Sequence, residues 1–288
     1  MIKIENKRFA RGSAFSSLER QQMLMSATVL IAGCGGEGGP VAINLARLGV
    51  GKFILADPGN IHAGDINRYP HATISTIGKN KSEVIAAIIK DVDPEIEVEV
   101  ISDGITPENV EQLIKKADVI QDGIDIYKPA LSELLHQTAR RHNKPVAMSI
   151  AIGRGGVATV FNPNSKYHFE QFIKNTESIP HIPYYENVIA VFNAFNNGMP
   201  APTTTVGTPI ATAMVTDLIE RLIAPAKGRN KVTFAPHYIV CDIGGKCIKA
   251  KTVKHPKIHL AICFLKAFIY RKLDFIPEIG GYGDMEDV

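Results

Sequence analysis

Short apolar runs alternate along the first half of this 288-residue chain with longer segments whose apolar positions recur every three or four residues, a rhythm that predicts strands and helices in turn. Thr28 to Ala32 is predicted as a strand, Gly33 to Gly39 as a glycine turn, and the segment with Val41, Leu45 and Leu48 on one face as a helix. Phe53 to Ala56 repeats the strand and ends in Asp57-Pro58-Gly59, and Lys79 to Val92 follows as an amphipathic helix. Ile96 to Ile101 is a strand. Thr106 to Lys116 is a helix opened by Thr-Pro with Glu108 in its first turn, and Asp118 to Gln121 is a strand running into Asp122-Gly123-Ile124-Asp125. Helix Lys128 to His142 and strand Pro145 to Ile150 complete the series. This order implies an α/β fold of the Rossmann-like, doubly wound type, its sheet mainly parallel and its ligands at the carboxyl ends of the strands, where the Gly and Asp motifs fall.

Beyond Phe161 the rhythm is lost. Asn162 to Gly207 is dense in Asn, Pro, Tyr and Phe and is expected as a long functional crossover loop. Thr208 to Ile223 restores a helical pattern, and His237 to Val240 with Cys247 to Val253 resembles two strands around Gly244-Gly245. The apolar stretch Ile258 to Tyr270 is broken by His259 and Lys266 and falls short of the roughly 20 residues that span a bilayer, so a buried or partner-facing helix is expected there.

Composition narrows the classes without choosing a function. With 45% hydrophobic and 21% charged residues the chain has the balance of a soluble α/β protein, not of a disordered one. The formal charge of +3 is spread along the chain, and no run of basic residues points to nucleic acid. Met1 to Arg8 lacks an apolar core followed by small residues, so no secretory signal is expected and the cytoplasm is the expected location. Cysteines 34, 241, 247 and 263 form no C-x-x-C pair and read as reduced thiols; zinc is not expected.

The chemistry starts at the glycines. A G-x-G-x-x-G turn between strand and helix brings backbone amides close to phosphate, and the helix N-terminus adds a favourable field. Asp57 follows Gly38 by nineteen residues, where a carboxylate at the end of the second strand can hold both hydroxyls of a ribose. Residues 1–161 are therefore expected as a nucleotide-binding domain with an amino-terminal arm. Residues 162–288 are expected to add the crossover loop and a small helix/strand extension of the same globular unit.

The doubled glycines Gly33-x-Gly35-Gly36-x-Gly38-Gly39, with Asp57, Gly64-Asp65-Ile66-Asn67-Arg68-Tyr69, Gly78-x-x-Lys81 and Asp122-x-x-Asp125, resemble the ThiF/MoeB/HesA superfamily of ubiquitin-activating-enzyme-like adenylyltransferases. The resemblance is good over residues 8 to 160 and loose beyond. It implies that Gly33, Gly35, Gly36, Gly38, Asp57 and Asn67 line the nucleotide, with Asp57 on the ribose. It further implies that Arg68 and Lys81 grip the triphosphate of ATP and that Asp125 holds Mg2+. Arg8-Phe9-Ala10-Arg11 is similar to the family segment whose second Arg reaches the partner's active site, which maps onto Arg11 and implies a homodimer. The implied reaction is adenylation of a carboxylate, where fixed cations meet the charge that gathers on the phosphoryl oxygens. Singly, Arg68 and Lys81 also suit a solvated surface and Asp125 a helix N-cap; together they stand in the family's order.

Where the family has a second Asp, an Asn and a Gln, this chain has Gly59, Asp65 and Tyr69. A non-catalytic nucleotide-binding adaptor therefore stays open, as does a nicotinamide-dependent oxidoreductase, which would leave Arg68, Lys81 and Asp125 without roles. Residues 35 to 240 contain no cysteine, so adenylation is expected without an obligatory enzyme thioester. His136 and His142, six apart on one helix, are expected at the surface. The acceptor is expected to be a small protein, a peptide or another carboxylate, with a modified tRNA base as the one nucleic-acid case. Tyr184, Tyr185, Phe192 and Phe195 of the crossover loop are candidates to cradle an extended tail.

Overall fold

The computed structural model describes Phe9 and residues 17–125, 128–171, 203–225, 232–243 and 247–252, the last six as backbone. Eight strands form one sheet: β1 (Thr28–Ala32), β2 (Lys52–Ala56), β3 (Glu97–Ile101), β4 (Val119–Asp122), β5 (Val146–Ile152), β6 (Gly155–Phe161), β7 (His237–Asp242) and β8 (Cys247–Thr252). Their order is β3-β2-β1-β4-β5-β6-β7-β8. The first five strands are parallel and the last three antiparallel to their neighbours.

The chain leaves β1 toward one edge of the sheet through β2 and β3, then returns to β4 and proceeds toward the other edge. Between β1 and β4 lies the switch point, where a crevice opens at the carboxyl ends of the strands. Both faces are covered, so the central strands are apolar on both sides. Val29 and Ile31 of β1 enter one core and Leu30 and Ala32 the other, as do Phe53 with Leu55 and Ile54 with Ala56 of β2.

The first core is closed by four helices: α1 (Leu18–Ser26), α2 (Gly38–Leu48), α3 (Lys81–Val92) and, further along the chain, α6 (Gly207–Ile223). The second is closed by α4 (Val110–Lys116) and α5 (Pro129–Arg141) through Leu113, Ile114, Leu135 and Ala139. Each fully buried Leu or Ile contributes about 2 kcal/mol of transfer free energy.

Within the described residues the predicted strands and helices are present, with instructive differences at the ends. The helix expected from Thr106 starts only at Val110, because Thr106 and Asn109 bond each other's backbone N–H in a closed turn instead. The helix expected from Lys79 begins at Lys81, since the Asn80 side chain accepts the N–H groups of Ser82 and Glu83 as an N-cap. Strand β6, with Gly155-Gly156 at its start, was not predicted. Here the glycines let β7 and α6 approach, a Cβ on Gly155 meeting Cys241 O at 2.4 Å and one on Gly156 meeting the Ala211 Cβ at 2.8 Å. The turn Gly244-Gly245 and the segment Ile258 to Tyr270 lie outside the described residues.

His136 corrects the sequence reading outright. It is 5% exposed, stacks on Phe169 with ring centroids 4.0 Å apart, and has Nε2 3.0 Å from the Asp122 carboxylate. Six residues along a helix turn a side chain far from its starting direction, and here that places His136 on the buried face. His142 is partly exposed, as a side chain at the helix end should be.

Candidate active site

A cleft of about 560 Å³ opens at the switch point. Its floor is the turn after β1. Gly33 adopts φ +94°, and a Cβ on Gly38 would sit 1.8 Å from the Gly33 carbonyl oxygen, so only glycine lets the turn fold onto the start of α2. Gly33, Gly35 and Gly36 line the cleft; Gly38 lies beneath them, buried.

Asp57, at the end of β2, ties this turn to its neighbour. One carboxylate oxygen accepts the Cys34 N–H at 2.6 Å and the other the Gly59 N–H at 2.7 Å. Charge-assisted bonds of this kind hold a carboxylate in one orientation at the cleft wall. Lys81 is fixed in turn, its N–H donating to the Gly59 carbonyl oxygen at 2.9 Å while the Asn80 amide donates to the Asp57 carbonyl oxygen at 3.0 Å.

Arg68, Tyr69 and Lys81 form one wall, and Gly123, Ile124, Asp125 and Lys128 the opposite part. Sequence-predicted Asp57, Arg68, Lys81 and Asp125 thus meet in one cleft with the glycine turn. Asn67 does not line it: the residue is exposed, and its side-chain oxygen accepts a bond from Arg68 at 3.1 Å. Arg11 lies outside the described residues, as do Tyr184, Tyr185, Phe192 and Phe195.

The turn that presents Asp125 is held by Asp122. Its Oδ1 accepts the Ile124 N–H at 3.0 Å and faces the Ser132 hydroxyl at 3.4 Å, while Oδ2 meets His136. His136 is clamped between Phe169 and the edge of Phe161, at 4.0 and 4.8 Å.

Sequence reading missed several groups. Glu37 lines the cleft and reaches the end of β5, bonding the Ser149 hydroxyl and accepting the Ala151 N–H at 2.7 Å. Burial pushes its carboxyl up to about 7, helped by the charge of Asp122 and opposed by the bonds from Ser149 and Ala151. An acidic residue inside a glycine turn was the available signal. Lys128, Ser149, Thr203 and Thr208 also line the cleft, and nothing local in sequence marks them. Cys34 is buried, and loss of solvent raises its thiol well above the usual range, followed by the nearby charge of Asp57; such a thiol is a poor nucleophile.

Among the described residues no group of three or more His, Cys, Asp or Glu side chains is arranged to hold a metal. Asp125 lines the cleft, a position that suits Mg2+, which takes one or two carboxylates and fills its shell with phosphate oxygens and water. No helix among the described residues is long and apolar enough to cross a membrane.

A glycine turn, a carboxylate at the next strand end and two cations across a switch-point crevice define a Rossmann-like nucleotide site. Residues 9–257 match the model of the ThiF family, and the chain belongs to that family. It is 37% identical over 145 residues to the vegetative HesA protein of Trichormus variabilis, covering 50% of this chain and 54% of the relative. It is 31% identical over 147 residues to the sulfur carrier protein ThiS adenylyltransferase of Escherichia coli, covering 51% and 58%, and 32% identical over 133 residues to the tRNA threonylcarbamoyladenosine dehydratase of the same organism, covering 46% and 49%. The matched stretch thus spans about half the length of these curated relatives. Among solved structures, E. coli MccB with ATP superposes with a TM-score of 0.67 at 22% identity, over 87% of this chain and 72% of that one, a likeness of fold.

Proposed function

We propose that this chain is an ATP- and Mg2+-dependent adenylyltransferase that activates a carboxylate as an acyl-adenylate without an obligatory enzyme thioester. The observation that carries this reading is the convergence of Asp57, Arg68, Lys81 and Asp125 on one cleft above the glycine turn. An oxidoreductase would use the glycines and Asp57 and leave two cations and Asp125 idle.

In this scheme the turn amides and the α2 N-terminus take the phosphates, Asp57 takes the ribose hydroxyls, and Arg68 and Lys81 meet the charge that leaves with pyrophosphate. Asn67 steadies Arg68. Mg2+ at Asp125 would neutralise phosphate oxygens and fix their geometry. Arg11 is assigned to the site of a second copy, which makes the active form a homodimer. The carboxylate enters over the end of β5, along Ser149, Ala151, Thr203 and Thr208.

The relatives support the class and divide on the acceptor: one is named for a sulfur carrier protein and another for a tRNA. MccB has also been solved with MccA. A free carboxylate on a peptide or small protein is the acceptor proposed here. Exchange of labelled pyrophosphate into ATP tests the reading, with synthetic peptides ending in a free Gly-Gly carboxylate and their amidated counterparts. Exchange with the free acids alone, lost in Arg68→Ala and Asp125→Ala and kept when all four cysteines are replaced, is the expected result. No exchange together with tight NADH binding would overturn it.

A further inference from the structure

Arg68 and Lys81, the cations on one wall of the cleft, are already engaged. Arg68 Nη2 donates to Asp65 Oδ1 at 3.1 Å, and Lys81 Nζ lies 3.8 Å from Asp65 Oδ2, one carboxylate oxygen for each cation. The Asp65 side chain is 8% exposed and stands behind the cleft wall, outside the lining, while both cations line the cleft. Its Oδ2 also accepts the His62 N–H at 3.1 Å, which fixes the carboxylate in place.

Tyr69 holds the same pair from a second side. Its ring lies under Arg68, 4.6 Å from the guanidinium carbon, and 5.3 Å from Lys81 Nζ, distances at which a ring face attracts a cation. The ring rests on the glycine turn: a Cβ on Gly36 would meet it at 2.5 Å, and one on Gly35 would meet the hydroxyl at 3.1 Å. Tyr69 is therefore a bracket between the turn that receives phosphate and the cations that neutralise it.

We propose that Asp65 is a resident counter-ion that competes with nucleotide phosphates for Arg68 and Lys81, while Tyr69 keeps both cations beside the glycine turn as they change partner. The inference rests on the adenylyltransferase reading and adds to it how the grip on polyphosphate is set. A polyphosphate entering from the cleft meets the open side of each cation and draws it from Asp65; when pyrophosphate leaves, Asp65 takes the cations back. The carboxylate thus weakens binding of ATP and pyrophosphate and eases departure of the product. Because Asp65 is largely buried and less screened than a surface group, its negative charge is felt strongly by an incoming anion.

Calorimetric titration with ATP and with inorganic pyrophosphate, each with Mg2+ and at two ionic strengths, tests this on the full chain. Asp65→Asn removes the charge and keeps an acceptor for the His62 N–H; Asp65→Ser is the second variant should Asn disturb folding. Both are expected to bind ATP and pyrophosphate about tenfold tighter with a steeper salt dependence, and Tyr69→Leu about fivefold more weakly, while Tyr69→Phe stays within about twofold of the unaltered protein. A purely structural Asp65 would lower affinity and melting temperature together. Folded Asp65 variants that bind ATP no tighter would overturn the counter-ion role alone. Absence of ATP binding by the unaltered protein would overturn the nucleotide reading with it.

Discussion

The two sides of the switch point hold their carboxylates by different means. On the β1–β2 side Asp57 is held by backbone, accepting the N–H groups of Cys34 and Gly59. On the β4–β5 side Asp122 and Glu37 depend on side chains distant in sequence: Asp122 on Ser132 and His136, and Glu37 on Ser149, with one backbone N–H added for each. The first arrangement needs only β1 and β2 paired, which brings the turn at Cys34 to Asp57. The second exists only once α5 and β5 have docked, so it links the site to the packing of the whole sheet.

The largest expected break in this contrast is His136→Ala. It removes a ring packed against Phe161 and Phe169 and leaves Asp122 buried without one partner, at a cost of about 3 kcal/mol in urea unfolding. A loss under about 1 kcal/mol would show that Ser132 and Ile124 suffice for Asp122.

Glu37→Gln comes next and is read in pH. A carboxyl whose folded pKa is raised from 4.5 to about 7 keeps its proton in the native state after the unfolded chain has released it. The resulting stability is full below about pH 4.5 and is lost as pH rises toward 7, by at most about 3 kcal/mol. His71 acts in the opposite sense over the same window. Burial, then the charge of Lys81, lowers its pKa to about 4, so it costs stability as pH falls below about 6.5. The test is therefore the difference between Glu37→Gln and the unaltered protein, which should become more favourable to the variant between pH 5 and 8. A difference flat in pH would mean that Glu37 is ionised throughout.

Asp57→Asn keeps one acceptor and should cost about 1 kcal/mol in stability, with a roughly tenfold loss of ATP affinity by calorimetry. A loss of stability with ATP affinity within about twofold of the unaltered protein would place Asp57 in the scaffold alone. Ser149→Ala is the smallest perturbation, about 0.5–1 kcal/mol, and should shift the Glu37 transition upward in pH by removing a bond that favours the ionised form.

The same contrast explains what could be read from the chain. The alternation of strands and helices, the glycine turn, Asp57, Arg68, Lys81 and Asp125 are local features: each is a residue type at a fixed distance from a strand end, set by backbone geometry. Glu37 with Ser149 and Asp122 with His136 are 112 and 14 residues apart, and no local pattern announces such pairs. His136 was misplaced because its helix was read from spacing alone, without the face that Phe161 and Phe169 cover. Strand β6 was not predicted, and its Gly155 and Gly156 find their reason only in the space that β7 and α6 need. Asp65 and Tyr69 were visible as departures, and only the coordinates show that they surround the cations.

In the proposed reaction this cleft splits ATP between the α- and β-phosphates on behalf of a carboxylate. Chromatographic identification of the nucleotide formed from α-labelled ATP, with peptides bearing a free carboxyl terminus and with their amides, measures this directly. Labelled acyl-adenylate, or the AMP that its hydrolysis releases, with stoichiometric pyrophosphate and only with the free acids, is the predicted result; labelled ADP, or unchanged ATP with every acid supplied, would contradict it.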